Sequence, residues 1–577
     1  MKSKRNFETL RTQLESERST FVSHWRDLSD FVMPRRARFT VTDANKGDRR
    51  NQKIIDATAT LALRTLRSGM MSGVTSPARP WFRLTLANRD VVEEDPIKQW
   101  LHTVAQTMNN VFIKSNLYNT LPSIYGDIGL FGTAAMYAEE DFDDVVRFYS
   151  FPIGSYMLGN DQKLRPRVFM RDFRMTVRQV VEKFAKRTKS GEYIWDNISN
   201  AVRSLWEQGT TEAWIDIVHC VEPNKEFNPG MLESKYKRFA STYYERGYSG
   251  GSTLSDLEDT KFLNESGYDY FPILAPRWEV TGEDVYGTEC PGMQVLGDVK
   301  ALQLMQKRKS QAVEKMVNPP MSAPVSMRTQ KASTLPGDIT YVDSRGDQNG
   351  FRPVHEINPR VQELVMDIQE TQNRIRRGLF EDLFLMLSSM DRRQITAREI
   401  DERHEEKLLA LGPVLEQLNQ DLLDPLIDIT FDILVKQNKI PPPPDELQGQ
   451  PLKVEYISIM AQAQKYVGIS SIDRFVGFVG QVAQFSPTAL DKIDIDQAID
   501  IYGDMTSVPP GLVRSDEDVE QIRAKRAQAQ AEAQAAQQAK DATAAAKNLS
   551  QASMGENGED NLLNQMINDA RTQGGIA

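Results

Sequence analysis

Five histidines, His24, His102, His219, His355 and His404, are the residues through which metal or proton-transfer chemistry would most readily show itself in this chain. A zinc hydrolase needs two imidazoles one helical turn apart with a glutamate beside the first, or short-range His/Cys pairs, so that the ligands converge on one ion. None of the five sits in such a spacing. His404-Glu405-Glu406 falls in a run of charges and reads as the solvated face of a helix. Gly129-Leu130-Phe131-Gly132 lacks the further glycines or the Gly-Lys-Ser/Thr that would cradle a phosphate, and reads as a tight turn before a strand. Arg345-Gly346-Asp347 reads as turn chemistry. Cys220 and Cys290 are too few for a disulfide framework and suit a reducing compartment. No catalytic residue, metal or cofactor is expected.

The basic residues are the remaining candidates. The net charge is −10, which argues against a general nucleic-acid binder but permits local basic points on a surface that does not grip phosphate. Lys300, Lys307, Gln311 and Glu314 fall on one stripe of an amphipathic helix, opposite Val299, Leu302, Met305 and Val313; Lys307-Arg308-Lys309 and Lys315 lie on the same helix. The plainer reading of that stripe is the solvent side of a packed helix. Arg374, Arg376 and Arg377 follow Glu363, Asp367 and Glu370 on a second helix, where pairing competes with any outside partner. Arg392 and Arg393, in the polar SSMDRRQ between two helical patterns, are better placed to reach out.

The elements that must position these residues fall into an α+β, predominantly helical fold. The 577 residues allow several domain-sized units. Helices are expected over 5–33, 52–72, 96–113 and 118–130, with WFRLTL alternating as a strand after SPARP. Aromatic and β-branched runs between about 133 and 290, interrupted by one helix at VRQVVEKFAKRT, predict a partly antiparallel sheet domain. A long helix covers about 292–317 and stops at Asn318-Pro319-Pro320. A second starts at Asn358-Pro359, as N-cap and first helical residue, and runs unbroken to about 387. A loop-rich insert of this length between two helices predicts a small knob held out at one end of the pair. Thr396-Ala397-Arg398-Glu399 opens further helix, with kinks or stops near Gly412-Pro413 and Pro425. The 23 residues Ala524 to Ala546 hold twelve alanines and form one helix suited to close packing. The N-terminus lacks the apolar segment of a secretory signal, and no run approaches the ~18 apolar residues of a membrane span, so a cytosolic chain is expected.

Several blocks, in order and spacing, resemble the portal, or head-to-tail connector, family of short-tailed (podovirus-type) bacteriophages: LRSGMMSGVTSPARPWFRLTL, DIGLFGTAAMYAEED, FPILAPRWEVTGEDVYGTECPGMQVLGDVKALQLMQ, NPRVQELVMDIQETQNRIRRGLFEDLF and QITAREIDERHEEKLLALGPVLEQL. The resemblance covers roughly 1–500 and is weakest across 186–260. It implies a homo-oligomeric ring, most often a dodecamer, at one capsid vertex of the virion, assembled in host cytoplasm, with double-stranded DNA passing along its axis. By order it implies a wing at 1–291, stem helices at 292–317 and 358–385, and a clip at 318–357. A tunnel loop at 386–394, returning wing helices at 395–452, a crown at 453–515, a barrel helix at 516–548 and a flexible tail at 549–577 complete it. It further implies Lys300, Lys307, Arg308 and Lys315 along the stem, and Met390, Arg392 and Arg393 at the tunnel loop, as channel residues. Met321, Arg328, Lys331, Arg345 and Arg352 would belong to the clip surface that docks terminase and later the tail adaptor. Major capsid and scaffolding proteins are the other implied partners, and no membrane is. The competing readings are a cytosolic hydrolase working through paired carboxylates and a helical scaffold or adaptor that does not touch DNA.

Overall fold

The computed structural model describes residues 3–40, 50–86, 95–247, 261–322, 328, 352–353, 361–390, 411–444, 447, 452–458, 475, 477–482, 496–497 and 516–552. Contacts divide the chain into two units, Met1–Phe478 and Val479–Ala577.

The first unit begins with helix α1 (Lys4–Val32), capped by Ser3, whose side chain accepts from the Arg5 amide. Its apolar positions Phe7, Leu14, Trp25, Leu28 and Val32 are buried, as helical spacing requires. Helix α2 (Thr58–Val74) buries Ala62, Leu63, Leu66 and Met70. Strand β1 (Phe82–Leu86) forms where WFRLTL alternates, and helices α3 (Asp95–Lys114) and α4 (Leu117–Phe131) follow. Helix α4 is buried over most of its surface and stops at Gly132, whose φ of 76° suits glycine.

Strands β2 (Ala135–Asp141) and β3 (Val145–Phe151) make a hairpin that β11 (Ile273–Leu274) extends to three strands. The larger sheet contains β4 (Tyr156–Asn160), β5 (Pro166–Thr176), β8 (Trp214–Pro223), β9 (Phe239–Gly247) and β10 (Asn264–Tyr268). Its order is β10-β9-β8-β5-β4, antiparallel throughout. Side chains alternate across it as the two-residue period demands. Met170, Val218, Cys220 and Tyr244 meet Phe7 and Leu14 of α1 on one face. On the other face Ile215, Ile217 and Tyr243 receive α5 (Val177–Phe184) and α6 (Asn200–Glu207). The sequence predicts one helix here, and the structure has two. Thr176 and Gln179 form a reciprocal capping box for the first, and Ser199 caps the second. A small hairpin of β6 (Lys186–Arg187) and β7 (Tyr193–Ile194) joins them.

Helix α7 (Pro291–Val317) leaves the sheet domain. Beyond it β12 (Met321–Ser322) pairs antiparallel with β13 (Arg352–Pro353). The chain returns through α8 (Val361–Gly378) and α9 (Glu381–Met390). A single unbroken helix is expected over this stretch; instead the axis breaks at Gly378–Phe380, where Phe380 adopts a φ of 56°. Packing supplies the reason. Gly378 lies so close to Val295 that a Cβ would meet its methyl at 2.4 Å, and the turn lets the Phe380 ring stack on Trp278 with centroids 6.3 Å apart. Helix α9 then crosses α2 at Gly69, where an added Cβ would lie 2.2 Å from Phe384. Pro413 and Pro425, expected near kinks or stops, stand in the first turns of α10 (Gly412–Leu418) and α11 (Asp424–Lys436), joined by a π-helical turn at Asn419–Leu423. Strand β14 (Leu452–Tyr456) closes the body by pairing with β1, stacking Tyr456 on the buried Trp81. In the second unit, α12 (Asp516–Ala552) is exposed at most of its described positions, with Val519 and Ile522 half-buried.

The tightest point in the body is backbone against backbone. A Cβ on Gly287 would lie 2.1 Å from the Gly132 carbonyl oxygen, which accepts from the Trp278 amide. Neither chain can withdraw, since Gly287 donates to Thr133 Oγ1 at 2.7 Å. Gly287→Ala is expected to destabilise the body by about 3 kcal/mol, the upper end of an overpacking cost. A thermal midpoint equal to the parent's would contradict this.

His219, noted above for its isolation, is a core residue. Its ring stacks on Tyr243 at 3.9 Å, and Nε2 lies 3.0 Å from Ser241 Oγ. Burial, with smaller contributions from Arg171 and Lys183, pushes its pKa down to about 3. An unfolded chain takes up this proton near pH 6.5, so acid favours unfolding. The stability is complete above about pH 6.5 and is lost as pH falls toward about 3. His219→Gln keeps a partner for Ser241 without titrating. Between pH 7.5 and pH 5 the parent should lose about 2 kcal/mol more than this variant, and parallel pH profiles would refute the assignment.

Candidate functional site

The candidate site is built on helices α7 and α8. At its start α7 is pinned. Cys290, in extended conformation at the N-cap, donates its thiol to the Leu130 carbonyl at 3.2 Å, and burial pushes that thiol up to about 12, so it is inert. Two residues on, Gly292 lies against the Leu130 backbone, where a Cβ would come within 2.6 Å. Val295, Leu296, Val299, Leu302 and Gln303 are buried.

Past Gln306 the helix emerges. Lys307, Arg308, Ser310, Gln311 and the run Val313 to Asn318 are exposed. Val313, expected on the apolar face, is 41% exposed, and Val317 is 80% exposed. The helical period continues, but the body that it would face has ended. The returning helix mirrors this: Gln362, Glu363, Met366 and Asp367 are exposed, and burial sets in at Ile368.

The predicted channel residues therefore divide. Lys307, Arg308 and Lys315 are on the emergent half, which carries four cations, Lys309 included, against Glu314. Lys300 lies lower, donating to Asp27 at 2.7 Å with its ammonium 5.6 Å from the Phe31 ring. It is engaged with α1, which the stripe pattern did not reveal. Arg374 bridges the two helices by pairing with Asp298 at 3.1 Å and Glu370 at 3.4 Å, and Arg376 approaches Glu381 at 3.5 Å. Pairing thus occupies both, though of the acidic residues before them only Glu370 takes part. Met390 ends α9; Arg392 and Arg393 lie outside the described residues.

For the insert, the β12–β13 ladder sets Met321 opposite Pro353 and Ser322 opposite Arg352, joining its two ends just past α7. Met321 and Arg328 are exposed. Lys331 and Arg345 lie outside the described residues.

Four residues that sequence reasoning missed tie this region together. Gln303, 5% exposed, accepts the amides of Ile55 and Asp56 at 2.6 and 2.7 Å, and Asp56 accepts from Gln306 and Gln372 at 2.9 and 2.8 Å. Glutamines on an amphipathic helix look solvated in sequence. The signal that could have marked Asp56 is the Asp-Ala-Thr that runs into the start of α2, a helix-start pattern.

No group of three or more His, Cys, Asp or Glu among the described residues could hold a metal ion, and no helix among them is long and apolar enough to cross a membrane. Among the described residues, the arrangement is a body from which two helices emerge.

Comparisons with known proteins agree in kind. Residues 4–513 match the family model of the bacteriophage head to tail connecting protein. The portal protein of Salmonella phage epsilon15 is 50% identical over 539 residues, covering 93% of this chain and 94% of the relative. The probable portal protein of Bordetella phage BPP-1 is 43% identical over 527 residues, covering 91% of each. The chain belongs to the bacteriophage head-to-tail connecting protein family.

Proposed function

We propose that this chain is a portal subunit: copies close into a ring at one capsid vertex, and double-stranded DNA enters and leaves through its axis. The supporting observation is the helix pair, whose far half carries exposed Lys307, Arg308 and Lys315 on an otherwise acidic chain. Identical subunits that meet head to tail generate a ring when the rotation closes, and one helix pair per subunit would then line the hole. Many weak phosphate contacts, each exchanging counterions, guide a duplex without holding it. Because phosphate contacts carry no base information, such a conduit passes any sequence. This part of α7 and α8 would be the stem, the insert 318–357 the clip that docks terminase and then the tail adaptor, and 386–394 the tunnel loop with Arg392 and Arg393. The wing at 1–291 with its returning helices at 395–452, and a crown at 453–515, would face capsid and scaffolding proteins. Assembly would take place in host cytoplasm, with a dodecamer the expected ring.

Particle images of the purified protein test the reading directly. Rings with a central hole support it; compact monomers or dimers would favour the hydrolase alternative. Within rings, Lys307→Ala with Arg308→Ala and Lys315→Ala should leave assembly intact, and so should Arg392→Ala with Arg393→Ala. Both sets should weaken DNA retention and flatten its dependence on salt. Retention and salt slope equal to the parent's in both sets would end the phosphate-contact reading.

Helix α12 adds a second test. At ~1.5 Å per residue it is roughly 55 Å long, rich in alanine and glutamine, and exposed at most of its described positions. It would stand as one stave of a barrel inside the capsid, built after the ring. A chain ending at Ser515 should still form rings but retain or eject DNA less well; failure to form rings would contradict this order of assembly.

A further inference from the structure

Asp56 occupies an unusual place. It lies in the segment leading into α2, yet its carboxylate reaches both emergent helices at the level where they leave the body. Oδ1 accepts the Thr58 amide at 2.8 Å, which fixes the carboxylate against the start of α2. Oδ2 accepts from Gln306 Nε2 of α7 at 2.9 Å and from Gln372 Nε2 of α8 at 2.8 Å. The backbone of the same residue is held independently. Gln303 Oε1 accepts the Asp56 amide at 2.7 Å and Gln303 Nε2 donates to the Asp56 carbonyl at 2.9 Å. Burial alone would raise this carboxyl, but the bonds from Thr58, Gln372 and Gln306 hold it below its ordinary value, so it is an anion at neutral pH.

The position of these contacts matters as much as their number. Gln306 is the last residue of α7 before the exposed run, and Gln372 follows the first buried turn of α8. The free arm of α7, residues 307–317, is about 16 Å long, so a change of about 10° at its root moves its far end by about 3 Å. Arg374–Asp298 also joins the helices, but both side chains are substantially exposed, at 50% and 35%, where an ion pair adds little. Apolar contacts below the root fix the spacing of the helices, and they are non-directional. The Asp56 bonds are directional and connect all three helices at one atom pair.

We propose that Asp56 is a positioning residue: its carboxylate is the fulcrum that sets the angle of the two emergent helices against the body, so that load applied at their far ends is delivered to α2. This inference does not rest on ring formation or on DNA.

Two substitutions of similar shape separate positioning from bulk stability. Asp56→Leu fills the space without accepting a hydrogen bond. Asp56→Asn retains the Thr58 bond through its oxygen, and its amide group can donate to Gln306 and Gln372 once their amides turn over. Backbone hydrogen exchange of the full chain is the measurement. In Asp56→Leu, amides over 307–317 and 361–371 should exchange at least ~10-fold faster, while α4 keeps its protection, a pattern of local opening. Asp56→Asn should restore most of the protection. Gln372→Met, which removes one bond only, should loosen 361–371 and leave 307–317 near the parent, and it covers the case in which Asp56→Leu does not fold. Unchanged exchange in both arms of Asp56→Leu would overturn the proposal. So would equal loosening in Asp56→Asn, a loss of protection spread evenly through α4, or Gln372→Met with both arms at the parent's rate.

Discussion

The close approach of two backbones at the end of α4 is the constraint on which the rest of the structure depends. Gly132 and Gly287 meet with no room for a side chain on Gly287, and Gly292 rests on the Leu130 backbone in the same way. The two contacts fix where the sheet domain ends and where α7 begins. Cys290 lies between them, with its thiol spent on the Leu130 carbonyl. A larger residue would push the helix root outward, and with it every residue of the emergent arm. Rigidity at the root allows a helix to stand exposed along its far half and still hold a defined direction.

Buried charge reinforces that frame. Asp127 is fully buried in α4, and Arg36 grips it in a bidentate pair with contacts between 2.7 and 3.0 Å while also meeting Ser150. Burial pushes this carboxyl up to about 6, against the pull of Arg36 and Arg67. Arg277 pairs with Asp421 at 3.0 Å with both side chains almost wholly covered, joining the segment before α7 to the π-turn between α10 and α11. Such pairs add little net stability over an apolar core, but removing one partner strands a charge and costs about 3–5 kcal/mol. They therefore fix register. Each joins segments far apart in sequence, Arg36 to Asp127 and Arg277 to Asp421, so the body closes as one unit around α4.

Function follows from what this body leaves uncovered. Much of its apolar surface is covered by α1, the two sheets and the returning helices, and among the described residues the far parts of α7 and α8 stand exposed. On the proposed reading, sparse cations on an acidic chain, at the far end of α7, would meet phosphates briefly along a passing duplex. The strongly shifted groups described here, His219, Cys290 and Asp127, are buried and committed to packing or pairing.

The sequence by itself marked most of the helices, because a 3.6-residue period of apolar side chains favours one buried face. It also determined the WFRLTL strand and the change of character near Pro291, and its ordered blocks were enough to suggest the family. It left the site only partly legible. The stripe that joined Lys300 to Lys307 was real as periodicity, yet Asp27 and Phe31 of a remote helix claimed Lys300 and left Lys307 exposed. The break at Phe380 was invisible, since Leu379 and Leu383 continue the apolar stripe through it; the Trp278 ring and Val295, both distant in sequence, decided it. Ser199 carried a readable cap for α6 that was overlooked among short strands. Asp56 carried only a helix-start signal, and Gln306 and Gln372 offered no pattern at all. Periodicity records which face of an element is covered, and only the tertiary structure decides what covers it, where the cover ends, and which polar atoms meet across the gap.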